Sequence, residues 1–139
     1  MDLETVRAKM TAQLDRVRVS AMCRVFGWSF GVSGLTAYIT MRHRRRPERV
    51  FLLRMMFDDF PRRAPSYVFV DAGSRGLRDD AWPPNVKHGD DLPGICTPGT
   101  REFHEKYHLN DAQYPWDAER FTVLDTLQRI HSMMEHGIG

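Results

Sequence analysis

The sequence is poor in cysteine: its 139 residues include only Cys23 and Cys96. Two cysteines are too few for a disulfide framework, and their spacing is not that of a zinc-binding pair. Because disulfides persist mainly in oxidising compartments, we expect this chain to work in a reducing, cytoplasmic setting.

Long apolar runs are also missing. The longest, such as Tyr67–Val70, are far too short to cross a bilayer. The N-terminus opens with mixed charge and lacks the basic start and apolar run of a secretory signal. We therefore expect no membrane partner.

A strong net charge is the third absence, since 20 lysines and arginines stand against 18 aspartates and glutamates. This balance does not favour nucleic acid as a partner, so only a local cluster of cations would argue for one. Hydrophobic content of 42% and charged content of 27% are typical of an ordinary globular protein. Because there is no internal repeat and no low-complexity linker, we expect a single domain over residues 1–139.

Hydrophobic spacing predicts a helix near each end of the chain. Apolar residues at spacings of three and four indicate one helix over residues 2–19, and Asp2 is suited to cap it. The same periodicity indicates a second helix over about 118–136. The residues that define the two apolar faces are Leu3, Val6, Met10, Leu14 and Val17 in the first helix and Val123, Leu127, Ile130 and Met134 in the second.

Four segments rich in β-branched and aromatic residues lie between the helices, at 24–30, 35–41, 50–57 and 67–70. Turn residues punctuate the gaps and no helical pattern intervenes, so the segments predict an antiparallel meander. Residues 71–116 have little periodicity, and so long an irregular stretch in a compact domain is usually functional. The predicted fold class is α+β, with an N-terminal helix, a four-stranded antiparallel meander, a long loop segment and a C-terminal helix.

Five short segments follow one another in an informative order. They are Phe51–Phe57, Asp59–Pro65 with Tyr67 and Phe69 after it, Pro84-Asn85-Val86, Gly94-Ile95-Cys96, and Trp116 with the helix through Phe121, Leu124, Leu127 and Ile130. In this order the chain resembles the ubiquitin-conjugating enzymes. That family has an alternating third strand, an Asp-Tyr-Pro-x-x-Pro-Pro segment, a His-Pro-Asn segment and a Gly-x-Ile-Cys that carries the nucleophile. The resemblance extends over nearly the whole chain, from the first helix to the last.

The chain also departs from the family pattern. Pro83 stands where the family has histidine, Phe60 replaces tyrosine, and Asn85 lies further from Cys96 than usual. Little sequence follows the second helix, so we do not expect the family's C-terminal helices or the acidic residue that many members place beside the attacking lysine. The resemblance is therefore to a compact, divergent, prokaryotic-type member, for which a bacterial antiviral or stress role is a hypothesis.

The resemblance implies a UBC-like fold and a transferase activity. Cys96 would carry a ubiquitin-like protein as a thioester, received from an activating enzyme, and pass it to an amine, expected to be a lysine, of a target protein. A ligase is a further candidate partner, and no cofactor is implied because the activating enzyme consumes the ATP. The alternative is a non-catalytic module of the same fold, since some relatives lack the cysteine and only bind ubiquitin-like proteins or their partners.

Cys96 is a candidate nucleophile on chemical grounds as well. A thiolate is a strong nucleophile, and its thioester stays reactive toward amines. Gly94 before it and Pro98-Gly99 after it favour an open, tightly turned segment. The competing interpretation is a buried structural thiol, which we favour for Cys23 because apolar residues surround it in the sequence.

Asn85 has interpretations that the sequence leaves open. Its amide could stabilise the oxyanion of a tetrahedral intermediate or brace the loop that carries Cys96, and an asparagine after two prolines is equally typical of a turn. The group that would deprotonate the incoming amine is open too. The candidates for this proton transfer are Asp90, Asp91, Asp111, His104 and His108.

A metal site is a weaker hypothesis. His88, Cys96, His104 and His108 fall close together in the sequence, and the last two are spaced so that a helix would place them on one face. No pair among these residues forms a recognised zinc motif. We therefore assign no metal ligand.

Exposed cations and the loops beside Cys96 are the candidate partner contacts, because the resembled family docks its activating enzyme on the first helix and its ligases on two nearby loops. The residues implied are Arg7, Lys9 and Arg16 for the activating enzyme and Phe60, Pro61 and Pro98 for a ligase. The arginine-rich run 42–49 is instead typical of a solvated hairpin tip, so binding of nucleic acid or an acidic protein there is not favoured.

Overall fold

The computed structural model describes residues 2–89, 93–109 and 112–138. In this part of the chain the fold is α+β, as predicted. The helices are α1 (Leu3–Arg18), α2 (Ala21–Phe26) and α3 (Val123–Ile138), and the strands are β1 (Ser29–Ser33), β2 (Thr36–Arg42), β3 (Val50–Met56) and β4 (Ser66–Val70). No helix among the described residues has both the length and the apolar character needed to cross a bilayer.

The two long helices form where the spacing of apolar residues predicts them. Asp2 caps α1, because its carboxylate accepts a hydrogen bond of 2.9 Å from the backbone N–H of Thr5. The predicted apolar faces of both helices are buried, apart from Leu3 at the exposed start of α1. The two helices pack against each other and against the sheet.

The four strands form one antiparallel sheet in the order β1-β2-β3-β4, which confirms the predicted meander. Gly34, with a φ of 61°, opens the two-residue turn that joins β1 to β2. The arginine-rich run connects β2 to β3, as predicted for a hairpin. Its histidine, His43, turns inward and is buried, and its Nδ1 accepts hydrogen bonds from the N–H groups of Arg45 and Arg46.

Of the first predicted strand, residues 24–30, only the last two residues lie in a strand. Ser20 begins α2, because its hydroxyl accepts a hydrogen bond of 3.1 Å from the N–H of Cys23. Gly27 ends α2 in a left-handed conformation with a φ of 67°, and β1 starts only after it. Cys23 therefore packs against the core from a helix, half-buried, rather than from a strand.

The last helix begins at Val123, later than the predicted start near residue 118. The hydroxyl of Thr122 accepts a hydrogen bond of 3.2 Å from the N–H of Asp125, as the side chain of an N-cap residue does. This local cap sets the start of α3 more sharply than hydrophobic spacing can.

The core lies between the long helices and one face of the sheet. Alternate residues of the two central strands point toward the helices, and the residues between them stay partly exposed. The buried residues of these strands are Ala37, Ile39, Met41, Phe51, Leu53 and Met55. All five residues of β4 are buried, because the segment after it folds back over the strand and Trp82 packs edge-on against Phe69 with ring centroids 5.6 Å apart.

A buried polar network ties the start of β1 to α3. The Nδ1 of His131 accepts a hydrogen bond of 2.9 Å from the indole N–H of Trp28, and its Nε2 donates to the carboxylate of Glu135 at 3.1 Å. The ring of His131 also stacks on Phe26, with centroids 3.9 Å apart. Burial lowers the pKa of His131, and the hydrogen bond to Glu135 offsets only part of that effect.

The lowered pKa of His131 predicts that the protein loses stability in mild acid. Between the folded-state pKa and the ordinary value of about 6.5, the unfolded chain binds more protons than the folded one. The free energy of unfolding should therefore decrease as the pH falls through about 6.5. Urea unfolding at several pH values between 5 and 8 would measure this slope, and His131→Gln should lose part of it. The exposed His136, on the same helix, provides the control His136→Gln, which should keep the wild-type slope. Equal slopes in wild type and His131→Gln would contradict the assignment.

Candidate active site around Cys96

Cys96 lies at the centre of a tight turn. The N–H of Thr97 donates a hydrogen bond of 3.0 Å to the carbonyl oxygen of Ile95, which closes the chain around the cysteine. Ile95 is fully buried and anchors the turn to the core, whereas Cys96 is half-buried and its thiol is free. The buried Ile95 therefore fixes the backbone of the turn, and the sulfur of Cys96 lies at the protein surface.

Thr100 braces this turn from the C-terminal side. Its hydroxyl lies 2.9 Å from the carbonyl oxygen of Ile95 and 3.0 Å from that of Thr97. The same hydroxyl oxygen accepts a hydrogen bond from the N–H of Phe103, at the start of a π-helical turn that spans Phe103–Tyr107. A buried threonine thus links the cysteine turn to the next element of the chain.

His104 is a brace as well, because both of its ring nitrogens are engaged. Its Nε2 accepts a hydrogen bond of 2.9 Å from the N–H of Gly99, so its Nδ1 carries the proton and donates to the carbonyl oxygen of Tyr114 at 3.0 Å. Burial lowers the pKa of His104, which favours this neutral form. While these bonds are made, His104 cannot exchange a proton with a group at Cys96.

The cysteine turn also rests on α3. The side chain of Arg129 donates a hydrogen bond of 2.8 Å to the carbonyl oxygen of Pro98. Gly99 has a φ of 102°, and a Cβ at this position would collide with the hydroxyl of Thr126. Only glycine meets both the backbone conformation and the close approach to the helix.

Arg101 joins the cysteine segment to the loop that follows β3. Its guanidinium donates to the carbonyl oxygens of Ala64 at 3.0 Å and Asp58 at 2.8 Å, and forms an ion pair with the Asp58 carboxylate at 3.0 Å. Its backbone N–H donates to the carbonyl oxygen of Pro65 at 2.8 Å. The side chain of Arg101 is only 14% exposed, so these charge-assisted bonds are shielded from water.

Glu102 closes the free edge of β4. Its carboxylate accepts hydrogen bonds from the hydroxyl of Ser66 at 2.8 Å and from the backbone N–H of Tyr67 at 3.2 Å. Neither Arg101 nor Glu102 stands out in the sequence as a residue of the site. Adjacent opposite charges in a loop are common, and nothing local in the sequence shows that these two face a strand more than thirty positions earlier.

The chain before Cys96 is pinned by a short bridge. His88 and Gly94 exchange two backbone hydrogen bonds, of 2.8 and 2.9 Å, and the hydroxyl of Tyr107 donates to the carbonyl oxygen of His88 at 2.7 Å. A Cβ on Gly94 would lie 2.9 Å from that hydroxyl and would also press into Glu102. Burial raises the pKa of Tyr107, and the negative charges of Glu102 and Cys96 add to that rise.

Asn85 is not joined to Cys96 by any hydrogen bond among the described residues. It is exposed, has a φ of 63° and sits in the turn from Pro83 to Val86, which favours the interpretation of a turn-forming asparagine. A Cβ on Gly137 would collide with the carbonyl oxygen of Pro84, so this turn rests on the far end of α3. Gly137 is about 16 Å along the helix axis from Thr126, where the cysteine turn rests.

The other candidates for proton transfer and metal binding do not form a cluster in the described part of the chain. His108 stacks on Phe103 with centroids 4.2 Å apart. The predictions for Asp90, Asp91 and Asp111 fall outside the described residues. Within the described ranges, no three histidine, cysteine or acidic side chains are grouped closely enough to hold a metal ion.

The residues expected to contact partner proteins differ in their exposure to solvent. Arg7, Lys9 and Arg16 are exposed on α1, as a docking surface requires. Phe60 is only 3% exposed and packs edge-on against Phe57, so the expectation that it lies on a ligase surface is not met. The residues that remain partly exposed there are Pro61, whose carbonyl oxygen accepts from the indole of Trp116 at 2.9 Å, and Pro98.

The electrostatic setting of Cys96 leaves the thiol protonated at neutral pH. Burial raises its pKa, and no cation lowers it among the described residues. The site therefore positions a sulfur nucleophile without activating it. Such a thiol suits exchange between thioesters, in which the bond broken and the bond formed are alike.

A comparison with the known protein families found no match for this sequence, and no curated protein matched it either.

The raised pKa of Cys96 predicts slow alkylation at neutral pH. In Cys23→Ser, which leaves Cys96 as the remaining cysteine, the rate of reaction with iodoacetamide should follow a titration centred above the ordinary thiol pKa of about 8.5. Intact mass measured over a pH series gives this midpoint, and the same protein in urea gives the reference. A folded-state midpoint at or below the reference would show that an unidentified group activates the thiol.

Gly99→Ala should test whether the turn depends on α3. Strain at positive φ and the collision with Thr126 should lower the free energy of unfolding by about 1–3 kcal/mol. Gly31→Ala is the control, because a Cβ at that position meets nothing within 4 Å, and it should change stability by less than about 1 kcal/mol. Adding Thr126→Ala to Gly99→Ala should recover part of the loss in chemical denaturation. Equal effects at the two glycines would contradict the packing described.

Proposed function

We propose that this chain is a ubiquitin-conjugating-like enzyme with a UBC-like fold. In this proposal Cys96 carries a ubiquitin-like protein as a thioester and passes it to an amine, normally a lysine, of a target protein. The observation that carries the proposal is the free, half-buried thiol at the centre of a braced turn, at the position where the sequence resembles the nucleophile of that family. The helix–meander–loop–helix order around it is in keeping with the same resemblance.

The proposed reaction consists of two acyl transfers. The thiolate of Cys96 attacks the carbonyl carbon of a thioester on an activating enzyme; a new S–C bond forms, and the cysteine of the activating enzyme leaves as a thiolate. An amine of the target then attacks the thioester on Cys96, an amide forms, the proton of the amine passes to water, and Cys96 leaves as a thiolate. Neither transfer needs a cofactor on this chain.

In this proposal a backbone N–H group stabilises the tetrahedral oxyanion. The N–H of Cys96 has no hydrogen-bond partner among the described residues, whereas the N–H groups of Thr97 and Gly99 are already used. Asn85 lies in a separate turn, so the N–H of Cys96 is the better-placed donor. Asn85 would then serve only to shape its own turn.

The proposed partners follow from the exposed residues. The cations of α1, Arg7, Lys9 and Arg16, would dock the activating enzyme, and Pro61 with Pro98 would contact a ligase or the target. The proposed setting is the cytoplasm, and bacterial antiviral or stress defence is the proposed context.

A non-catalytic binding module is the second candidate function. The observation that favours it is the raised pKa of Cys96 together with the position of Asn85, since neither arrangement activates the thiol. In this case the same fold would hold a ubiquitin-like protein without a covalent bond.

Trapping the adduct separates the two functions. Tagged wild type, Cys96→Ala and Cys96→Ser would be expressed in the cells from which the sequence comes and purified without reductant. Transfer predicts a larger species in wild type that neutral hydroxylamine cleaves, as it cleaves a thioester but not a disulfide. In Cys96→Ser the adduct should resist thiols and yield to alkali, as an oxygen ester does, and in Cys96→Ala it should be absent. Mass spectrometry of the released partner would identify the modifier.

The binding module predicts the opposite pattern. A ubiquitin-like protein would then co-purify in equal amounts with all three forms and would dissociate in denaturant without hydroxylamine. Cys23→Ser serves as the matched control, since loss of the other thiol should leave the covalent adduct unchanged under the enzyme hypothesis.

A further inference from the structure

A cleft of about 720 Å³ opens on the outer face of the sheet, on the side away from α1 and α3. Arg54 of β3 and Val68 of β4 form its floor, and the segment after β4 forms one wall. The opposite wall comes from the cysteine segment, through Pro93 and the side chain of Glu102. The volume falls within the range of small-molecule sites, which is about 300–1,000 Å³.

Apolar side chains line much of this cleft. Trp82 and Val68 are nearly buried at its base, and Pro93 is half-buried at its rim. Leu77 is 70% exposed although it lines the cleft, so it offers a large apolar surface that the fold itself leaves uncovered. Covering such surface is favourable by about 25 cal/mol per Å².

Most charges in the cleft are already neutralised by pairs. Arg63 forms a two-pronged ion pair with Glu105, at 2.7 and 3.0 Å. Arg78 pairs in the same way with Asp80, at 3.0 and 3.1 Å. Arg101 and Glu102 are the residues that hold the loop after β3 and the edge of β4, so neither is available to a ligand.

Arg54 differs from these paired residues. No ion pair or hydrogen bond of its guanidinium occurs among the described residues, and its Nε is buried without an acceptor. It lies on the outer face of the sheet, opposite Tyr38 of β2 and Val68 of β4. A buried donor without a partner is costly, so a cation in this state beside an apolar cavity points to an anionic acceptor from outside the chain.

We propose that this cleft binds a small apolar carboxylate, whose carboxylate pairs with Arg54 and whose apolar body covers Leu77, Trp82 and Pro93. One unpaired guanidinium matches a single negative charge and can bind a carboxylate with two parallel hydrogen bonds. The proposal is independent of acyl transfer, because Cys96 does not line the cleft.

Nuclear magnetic resonance of the tryptophan indole N–H groups tests this proposal on the intact chain, with octanoate as the probe. The indole signal of Trp82 should shift on titration, whereas the indoles of Trp28 and Trp116, which lie outside the cleft and donate to His131 and Pro61, should not. Octan-1-ol, which has the apolar body without the charge, should bind at least about tenfold more weakly than octanoate. Acetate should produce no saturable shift.

Two variants locate the charge and the apolar contact. Arg54→Gln should raise the Kd of octanoate at least about tenfold, whereas Arg24→Gln, which removes the same charge from the exposed surface of α2, should leave it unchanged. Leu77→Ala should weaken the binding of octanoate and of octan-1-ol alike. Because this side chain is exposed, the substitution should leave the fold intact. No shift of Trp82, equal binding of octanoate and octan-1-ol, or an unchanged Kd in Arg54→Gln would each overturn the proposal.

Discussion

Arg101 and Glu102 tie the cysteine segment to the loop before β4 and to the edge of β4, and the position of Cys96 depends on these bonds. An edge strand presents unpaired N–H and C=O groups that must be satisfied or covered. Here the carboxylate of Glu102 accepts from the N–H of Tyr67 at that edge, and the guanidinium of Arg101 holds the carbonyl groups of Ala64 and Asp58 in the loop before β4. Hydrogen bonds to charged groups contribute about 1.5–3 kcal/mol each, so together they fix a long irregular segment that has little hydrophobic periodicity of its own.

The bonds of Arg101 and Glu102 hold the thiol of Cys96 in place without lowering its pKa. The chain from Ile95 to Arg101 is held at both ends. The hydroxyl of Thr100 and the Nε2 of His104 form hydrogen bonds to the backbone of this segment. For the proposed acyl transfer a fixed sulfur would be an advantage, because orientation is a large part of catalysis in such reactions. Because no described cation lies close enough to lower the pKa of Cys96, its ionisation is left to the pH, to a partner or to the reagent.

The sequence predicted the parts of this fold that depend on local periodicity. The buried faces of α1 and α3 and the alternation along β2 and β3 repeat every few residues, so the pattern is visible without the partner surfaces. The strand predicted from residue 24 failed because Ser20 and Gly27 cap a short helix there, and two caps outweigh β-branched composition. An open turn at Cys96 was predictable from the sequence, because glycine and proline residues flank the cysteine. The contacts that decide its chemistry were not, since the bonds made by Arg101 and His104 join residues that only the folded chain brings together.

Amide hydrogen exchange in Arg101→Ala would show whether the bonds of Arg101 to the loop before β4 hold the cysteine turn. The amides of Thr97 and Gly99 donate to Ile95 and His104, so their protection reports how often the turn opens. If these bonds hold the turn, both amides should exchange at least about tenfold faster than in wild type, while amides in β2 keep their wild-type protection. Unchanged protection of Thr97 and Gly99 in a folded Arg101→Ala protein would show that the turn forms without this arginine. That result would contradict the claim that the bonds of Arg101 hold the turn.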